Sequence, residues 1–325
     1  MKIALDTMGG DYAPEEVVKG AVSALEERDL EIILLGDIEK VKEELIKYKY
    51  KKDKLSVINC KEYIETGEFP LDAIRNKRDS SIVVGTKLLR NNKADAFISA
   101  GNSGAVMAAA ILELRCIPHI RRPTIGAILP SAKGKVLVLD VGANVDCKPE
   151  HLAQFALIGN KYAKYILGIE NPKIGLLNIG EEENKGNKFA QNAYKKLENT
   201  NINFVGNIEG KDIFKGKVDV VVCDGFTGNI LLKSSEGLSK LLLTEINKMI
   251  ISQLPQNQEM DKLKERFMNL VKMTDYTEYG GSPLLGVNGL CFICHGRSKA
   301  KTFKNAILNT SKFIDANIVE HFKEI

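Results

Sequence analysis

No apolar run in this 325-residue chain is long enough to cross a bilayer. The longest nearly uncharged stretch at helical spacing, Ala105 to Leu112, falls far short of the ~20 residues required. An export signal is also missing: Met1-Lys2-Ile3-Ala4-Leu5-Asp6 reaches an acidic residue before an apolar core can form, so a cytoplasmic protein is expected. Neither charge dominates. Forty-six basic against 42 acidic residues leave +4, too small and too evenly spread to mark a nucleic-acid partner, and none is expected. Six cysteines (Cys60, Cys116, Cys147, Cys223, Cys291, Cys294) are scattered without a secretory signal, which favours reduced thiols over a disulfide framework. What remains, 44% apolar and 27% charged residues, excludes a disordered or collagen-like chain. At ~150 residues per domain, the length fits two domains or one large α/β unit with an insertion.

Several chemical signatures are absent as well. Without any Gly-x-Gly, the dinucleotide fingerprint fails. The stretch Gly210 to Gly216-Lys217 has one residue too many for a nucleotide phosphate loop and continues into Val218. Ser103 is followed by Gly104-Ala105, so the serine-nucleophile elbow is missing. Cys291-Phe292-Ile293-Cys294-His295 matches a haem attachment pattern, but it continues an apolar strand on which residues three apart face opposite ways. No second Cys-x-x-Cys completes a zinc site. Neither metal nor cofactor is expected.

Short β-branched runs are present, at Lys2–Asp6, Glu31–Leu35, Leu55–Asn59, Ala96–Ala100, Thr124–Leu129, Val136–Val141, Lys173–Asn178, Ile202–Val205, Val218–Cys223 and Leu290–Cys294. Amphipathic stretches follow most of them, including Glu15–Glu26, Ile38–Lys47, Ile82–Asn91, Gly104–Leu114, Pro149–Leu167 and Phe189–Glu198. This βαβα alternation predicts a mostly parallel sheet with helices on both faces, a three-layer α/β/α unit spanning 1–325. One segment breaks the rhythm. Across 234–273, apolar residues at helical spacing flank Pro255-Gln256-Asn257-Gln258, which predicts a protruding helical hairpin for dimer or membrane contact. Ile250, Ile251 and Leu254 would form a tip suited to a membrane interface.

In a parallel sheet, ligands gather beyond the carboxyl ends of strands. Glycine-bearing polar segments follow five of the expected strands: Asp6-Thr7-Met8-Gly9-Gly10-Asp11, Gly101-Asn102-Ser103-Gly104, Asp140-Val141-Gly142-Ala143-Asn144, Asn178-Ile179-Gly180-Glu181-Glu182 and Asp224-Gly225-Phe226-Thr227-Gly228-Asn229. Any one of them could serve only to reverse the chain. Together they predict an anion cradle on one sheet edge, with Gly101–Gly104 the strongest candidate because it opens an alanine-rich helix. Lys185 could supply a point charge to phosphate, and His295-Gly296 ends a strand where the polar turns lie.

Asp6–Glu15, Gly101-Asn102-Ser103-Gly104-Ala105, Asp140–Asn144, Asp224–Asn229, Tyr279-Gly280-Gly281-Ser282-Pro283-Leu284-Leu285-Gly286 and His295-Gly296 resemble in order and across essentially the whole chain the PlsX family of acyl-acyl carrier protein:phosphate acyltransferases. The resemblance implies a fold akin to phosphotransacetylases and isocitrate-dehydrogenase-like enzymes, a homodimer, and peripheral attachment to the inner face of the cell membrane. It implies that inorganic phosphate attacks a long-chain acyl thioester on acyl carrier protein, releasing acyl phosphate to a membrane-embedded acyl phosphate:glycerol-3-phosphate acyltransferase for phospholipid synthesis. Lys185 and Asn229 match family positions important for catalysis. Asp6, Gly9, Gly10, Asp11, Gly101, Asn102, Ser103, Gly104, Asn144, Asp224, Thr227 and His295 are the expected phosphate or substrate contacts. The stretch Cys294-His295-Gly296-Arg297-Ser298 departs from the family, which more often has alanine before the histidine and serine after the glycine.

Because phosphate is itself a nucleophile, such a reaction needs positioning more than a covalent intermediate. Asn229 is then the expected donor to the developing oxyanion. Two alternatives stay open: a short-chain enzyme using coenzyme A, and a non-catalytic adaptor receiving an acidic carrier on Arg75–Arg78 or Arg115–Arg122.

Overall fold

The computed structural model describes residues 1–249 and 258–325. The first half runs β1 (Lys2–Asp6), α1 (Glu15–Glu27), β2 (Glu31–Gly36), α2 (Ile38–Leu45), β3 (Leu55–Asn59), α3 (Pro70–Asn76), α4 (Ser81–Arg90), β4 (Ala96–Ser99), α5 (Ser103–Leu114) and β5 (Thr124–Ser131). It continues through β6 (Gly134–Leu139), α6 (Pro149–Tyr165), β7 (Ile174–Leu177), α7 (Lys188–Glu198), β8 (Phe204–Ile208), α8 (Gly210–Lys215) and β9 (Val220–Val222). The helices α9 (Gly225–Met249) and α10 (Gln258–Thr274) precede β10 (Ser282–Leu285), β11 (Leu290–Ile293), α11 (Ala300–Asp315) and α12 (Ile318–Lys323).

The strands form one sheet of 11 in the order β3-β2-β1-β4-β11-β10-β5-β6-β9-β7-β8. Most are apolar on both faces, as parallel strands covered twice must be. In β1, Ile3 and Leu5 enter the core under α1, α6 and α11, while Ala4 faces the core under α3, α4 and α5. In β6, Leu137 and Leu139 share the first core, and Val136 and Val138 turn to a third beneath α8 and the start of α9. Cys291 and Cys294 fall in opposite cores, as their spacing on a strand requires, and all six cysteines are unpaired.

Two parallel runs, β3-β2-β1-β4-β11 and β6-β9-β7-β8, are joined by three successive antiparallel pairings: β11 with β10, β10 with β5, and β5 with β6. Three reversals leave the two runs pointing in opposite senses. The expectation that all five polar segments share one sheet edge is therefore corrected: those after β1 and β4 leave one end of the sheet, and those after β6, β7 and β9 leave the other.

Other expected boundaries move too. The strand expected at Ile202–Val205 is Phe204–Ile208, and Ser282–Leu285, absent from the expected strands, is a strand. The helix expected from Ser234 begins at Gly225, which makes the Asp224–Asn229 motif a first helical turn rather than a loop. The expected membrane tip, Ile250, Ile251 and Leu254, lies outside the described residues.

Candidate active site

Two buried aspartates build the site from opposite halves. Asp6, at the end of β1, accepts the Ser99 hydroxyl at 2.7 Å and the Met8 N–H at 3.0 Å, and Ser99 Oγ accepts the Gly101 N–H at 3.0 Å. One carboxylate thus ties the turn after β1 to the turn after β4. Gly9 is required there, since a Cβ on it would stand 2.6 Å from Asp6 Oδ2 and 2.8 Å from Gly101 Cα. The Asp11 N–H then donates to the Gly296 carbonyl at 2.8 Å, adding the turn after β11. Burial raises the Asp6 carboxyl above the usual range, against hydrogen bonds from Ser99, Ser81, Met8 and Gly9.

Asp140, after β6, repeats the arrangement. It accepts N–H groups of Ile125 at 3.1 Å, Gly142 at 3.3 Å, Ala143 at 3.1 Å and Asn144 at 2.7 Å, and the Asn144 side-chain amide at 2.8 Å. Burial raises this carboxyl as well, in spite of those donors. The start of α9 lies against the same turn. Gly225 N–H donates to the Asn144 carbonyl at 2.8 Å, and any side chain at Gly228 would collide with the Asp140 carbonyl. Gly142, held at φ +135°, leaves room for the Asn229 amide, whose nitrogen stands 3.7 Å from where a Cβ would sit.

A cavity of about 760 Å³ crosses the antiparallel middle of the sheet, within the range of small-molecule sites. It brings together Asp11, Gly101, Asn102, Ser103, Gly104, Asn229 and His295. At the α5 N-terminus, Asn102 Oδ1 accepts the Ala105 N–H at 3.0 Å and the Asn102 carbonyl accepts that of Val106. Its amide donates to the carbonyls of Glu65, Thr66 and Glu68, so the Asn102 side chain is committed to capping the helix and holding that loop. The Ser103 and Gly104 N–H groups remain unpaired among the described residues, at the positive end of a 12-residue helix.

The cavity does not collect every expected residue. Asp6, Gly9, Gly10 and Asn144 stand behind its wall and shape the turns. Asp224 is taken up in capping α9, which it precedes: its two oxygens accept the Thr227 N–H and hydroxyl, each at 2.8 Å. Lys185 lies in the loop after β7, away from the cavity wall, half-exposed and 3.8 Å from a Glu182 oxygen. That follows from the strand order, because β7 lies two places beyond β6, next to the edge strand β8.

Sequence reasoning missed much of the charged lining: Lys135, Lys233, Glu236 and Lys312. Lys233 and Glu236 follow Asn229 at i+4 and i+7, a helical signal hidden when the helix is started at Ser234. Four cations (Lys135, Lys233, Arg297, Lys312) face two carboxylates (Asp11, Glu236), so the lining favours an anion. Burial raises the Glu236 carboxyl, opposed by the charges of His295 and Lys233. Among the described residues no group of three His, Cys, Asp or Glu side chains is placed to hold a metal ion, and no helix is long and apolar enough to cross a membrane.

One 11-stranded sheet, mostly parallel and covered by helices on both faces, defines a three-layer α/β/α fold. Solved structures agree on the fold. The chain is similar to a phosphotransacetylase from Streptococcus pyogenes, with TM-score 0.67, 20% identity, and 98% of this chain and 94% of that one covered. The EutD phosphotransacetylase from Staphylococcus aureus gives TM-score 0.62 at 17% identity, covering 97% and 94%. The family described as "Fatty acid synthesis protein" matches residues 1–321. A phosphate acyltransferase of Dictyoglomus turgidum is 48% identical over 320 residues, covering 98% of this chain and 95% of its own length. One from Halothermothrix orenii is 47% identical over 331 residues, covering 100% and 98%. The chain belongs to this family of phosphate acyltransferases and is an acyltransferase enzyme.

Proposed function

We propose that the enzyme transfers a long-chain fatty acyl group from acyl carrier protein to inorganic phosphate. A phosphate oxygen attacks the thioester carbonyl carbon, a C–O bond forms, and the C–S bond breaks. Acyl phosphate is released, and the departing thiolate takes a proton from phosphate or water. The observation that carries this reading is that Ser103 and Gly104, at the α5 N-terminus, and Asn229, on α9, line one and the same cavity. Phosphate sits at the helix end, offset by Lys233 and Arg297, and Asn229 donates to the carbonyl oxygen as it gains charge. Lys185 serves this site by leaving Glu182, an exposed pairing worth ~0–1 kcal/mol at most. Gly9, Gly10 and Asp6 hold the cradle in shape, as Asn144, Asp224 and Thr227 hold the start of α9.

The chain acts as one 1–325 unit whose hairpin, 234–273, makes dimer and membrane contacts. Exposed Leu238, Leu241 and Leu242 on α9, each more than half accessible, support an apolar contact there. Membrane attachment would place the product beside an acyl phosphate:glycerol-3-phosphate acyltransferase. Purified protein is to be given hexadecanoyl-acyl carrier protein, hexadecanoyl-coenzyme A or acetyl-coenzyme A, each with and without phosphate. Phosphate-dependent release of thiol and acyl phosphate, fastest with the carrier protein, is expected. Preference for acetyl-coenzyme A, or binding without turnover, contradicts the reading.

A further inference from the structure

The cavity has a second end that the cradle does not use. Ser103 and Gly104 line it on the side of α5, where Ala105 belongs to the second core. The other end lies across the sheet, against α6 and α11, where Tyr162 and Phe313 belong to the first core. Tyr162 is only 4% exposed, and its ring packs edge-on against Phe313 at 5.5 Å. Its hydroxyl makes no hydrogen bond among the described residues, yet it is not sealed in, so it opens on the cavity. Burial pushes that hydroxyl well above its ordinary pKa, which keeps it a proton donor at neutral pH. Tyr279, in the turn before β10, lines the same end near enough to act on Tyr162 electrostatically, and its hydroxyl is likewise without a partner among the described residues. Two cations complete this end. Lys135 Nζ, from β6, stands 5.1 Å from the centre of the Tyr279 ring, and Lys312 Nζ, from α11, donates to Asn309 Oδ1 at 2.9 Å. Asn309 in turn donates to the Tyr279 carbonyl at 2.9 Å, which holds α11 against that tyrosine. Neither lysine pairs with a carboxylate among the described residues.

We propose that this end of the cavity binds a second oxyanion of the phosphate class, distinct from the one at the cradle. Two ammonium groups match the two charges of a phosphate or phosphate monoester, and two phenolic hydroxyls, each a donor, match its remaining oxygens. A carboxylate would leave one of the cations uncompensated. A purely apolar occupant fits worse still, since it would leave the buried Tyr162 hydroxyl unpaired. The inference stands apart from the phosphorolysis reading, because binding is measured without a thioester.

Equilibrium dialysis with radiolabelled inorganic phosphate compares wild type with Tyr162→Phe, which deletes the hydroxyl and keeps the ring against Phe313. Two phosphate sites per chain are expected in wild type. The substitution weakens one of them about ten-fold, the loss of a hydrogen bond to a charged group, and leaves the other unchanged. A single site in wild type, or superimposable binding curves for the two proteins, overturns the proposal. Lys312→Met, at an exposed position, is the second variant should Tyr162→Phe not fold, and it is read by the same outcomes. Propyl phosphate as competitor identifies the source of the anion: displacement from the Tyr162-dependent site assigns it to a phosphate monoester, and failure to displace assigns it to the free ion.

Discussion

Asp140→Asn separates a carboxylate that builds the site from one that is merely buried. In the wild type, Oδ1 collects the N–H groups of Ile125, Gly142 and Ala143, and Oδ2 collects the N–H and side-chain amide of Asn144. An asparagine keeps one oxygen and must set its own NH₂ against the donors on the other side. With the retained oxygen at Oδ1, the Asn144 side chain keeps the Pro123 carbonyl at 2.7 Å, but its backbone N–H is stranded in a buried turn. Flipping the amide strands three donors instead of one. An orphaned buried donor costs ~1–3 kcal/mol, and losing a charge-assisted bond adds a comparable amount. Relief from burying a charge offsets part of this, leaving about 2–4 kcal/mol, a large fraction of a typical ~5–15 kcal/mol stability.

Denaturant unfolding with linear extrapolation measures the difference. The pH dependence supplies an independent check of sign. Because burial raises the folded-state pKa of Asp140, its contribution is fully present below the unfolded value of ~3.9 and declines as pH rises through the folded value. Asparagine does not titrate. The stability gap between wild type and variant is therefore widest at low pH and narrows on the way to neutrality. A gap within about 0.5 kcal/mol at all pH values, the range of an inconsequential surface change, would refute the assignment of Asp140 as the organiser of this turn.

Three further outcomes are expected. Asn229→Ala lowers kcat by roughly 10²–10³-fold with little change in melting temperature, as loss of one oxyanion donor does elsewhere; wild-type kcat would remove its role. Lys185→Ala raises the phosphate KM several-fold while leaving stability intact, since its pairing with Glu182 is exposed; unchanged steady-state constants would confine Lys185 to the surface. Gly228→Ala drives a methyl into the Asp140 carbonyl and lowers stability by ~1–3 kcal/mol, measurable as a fall in melting temperature.

Local features of the fold were legible because they rest on local physics. Alternation and β-branching mark β1, β2 and β6, and Asp6-Thr7-Met8-Gly9-Gly10 reads as a tight turn from its glycines alone. The reversal of sense between the halves was missed because β10, whose two antiparallel pairings cancel, carries no strand signal beyond two leucines, and the net change comes from the tight β5–β6 hairpin at Ser131–Gly134. The start of α9 misled for a related reason. Gly225 and Gly228 look like turn residues, yet they are there because backbone from 140–144 passes too close for a Cβ. Asn102 misled in the other direction: its amide suits a ligand, but the cap and the 65–68 loop consume it. A sequence shows which groups can bind, while the partners that occupy them come from elsewhere in the chain.

Glu236 tests the electrostatics of the cavity as a whole. It is half-buried on α9 beside two cations, Lys233 on its own helix and Arg297 beyond β11, with His295 in the same lining. Burial raises its carboxyl while His295 and Lys233 pull it down, and the rise prevails. An arriving phosphate dianion repels the ionised carboxylate, so binding must raise its affinity for a proton further, and by linkage protonation must favour phosphate. Lowering pH through this group therefore lowers the KM for the phosphate dianion. Glu236→Gln fixes the neutral state, and its KM for phosphate at neutral pH should approach the value wild type reaches only in acid. Measured from about pH 5 to 8 and referred to the phosphate dianion, the KM values of wild type and variant are expected to converge in acid. If wild type and variant show parallel KM profiles, Glu236 does not face the bound anion, and the cavity's charge balance must be set by Asp11 alone.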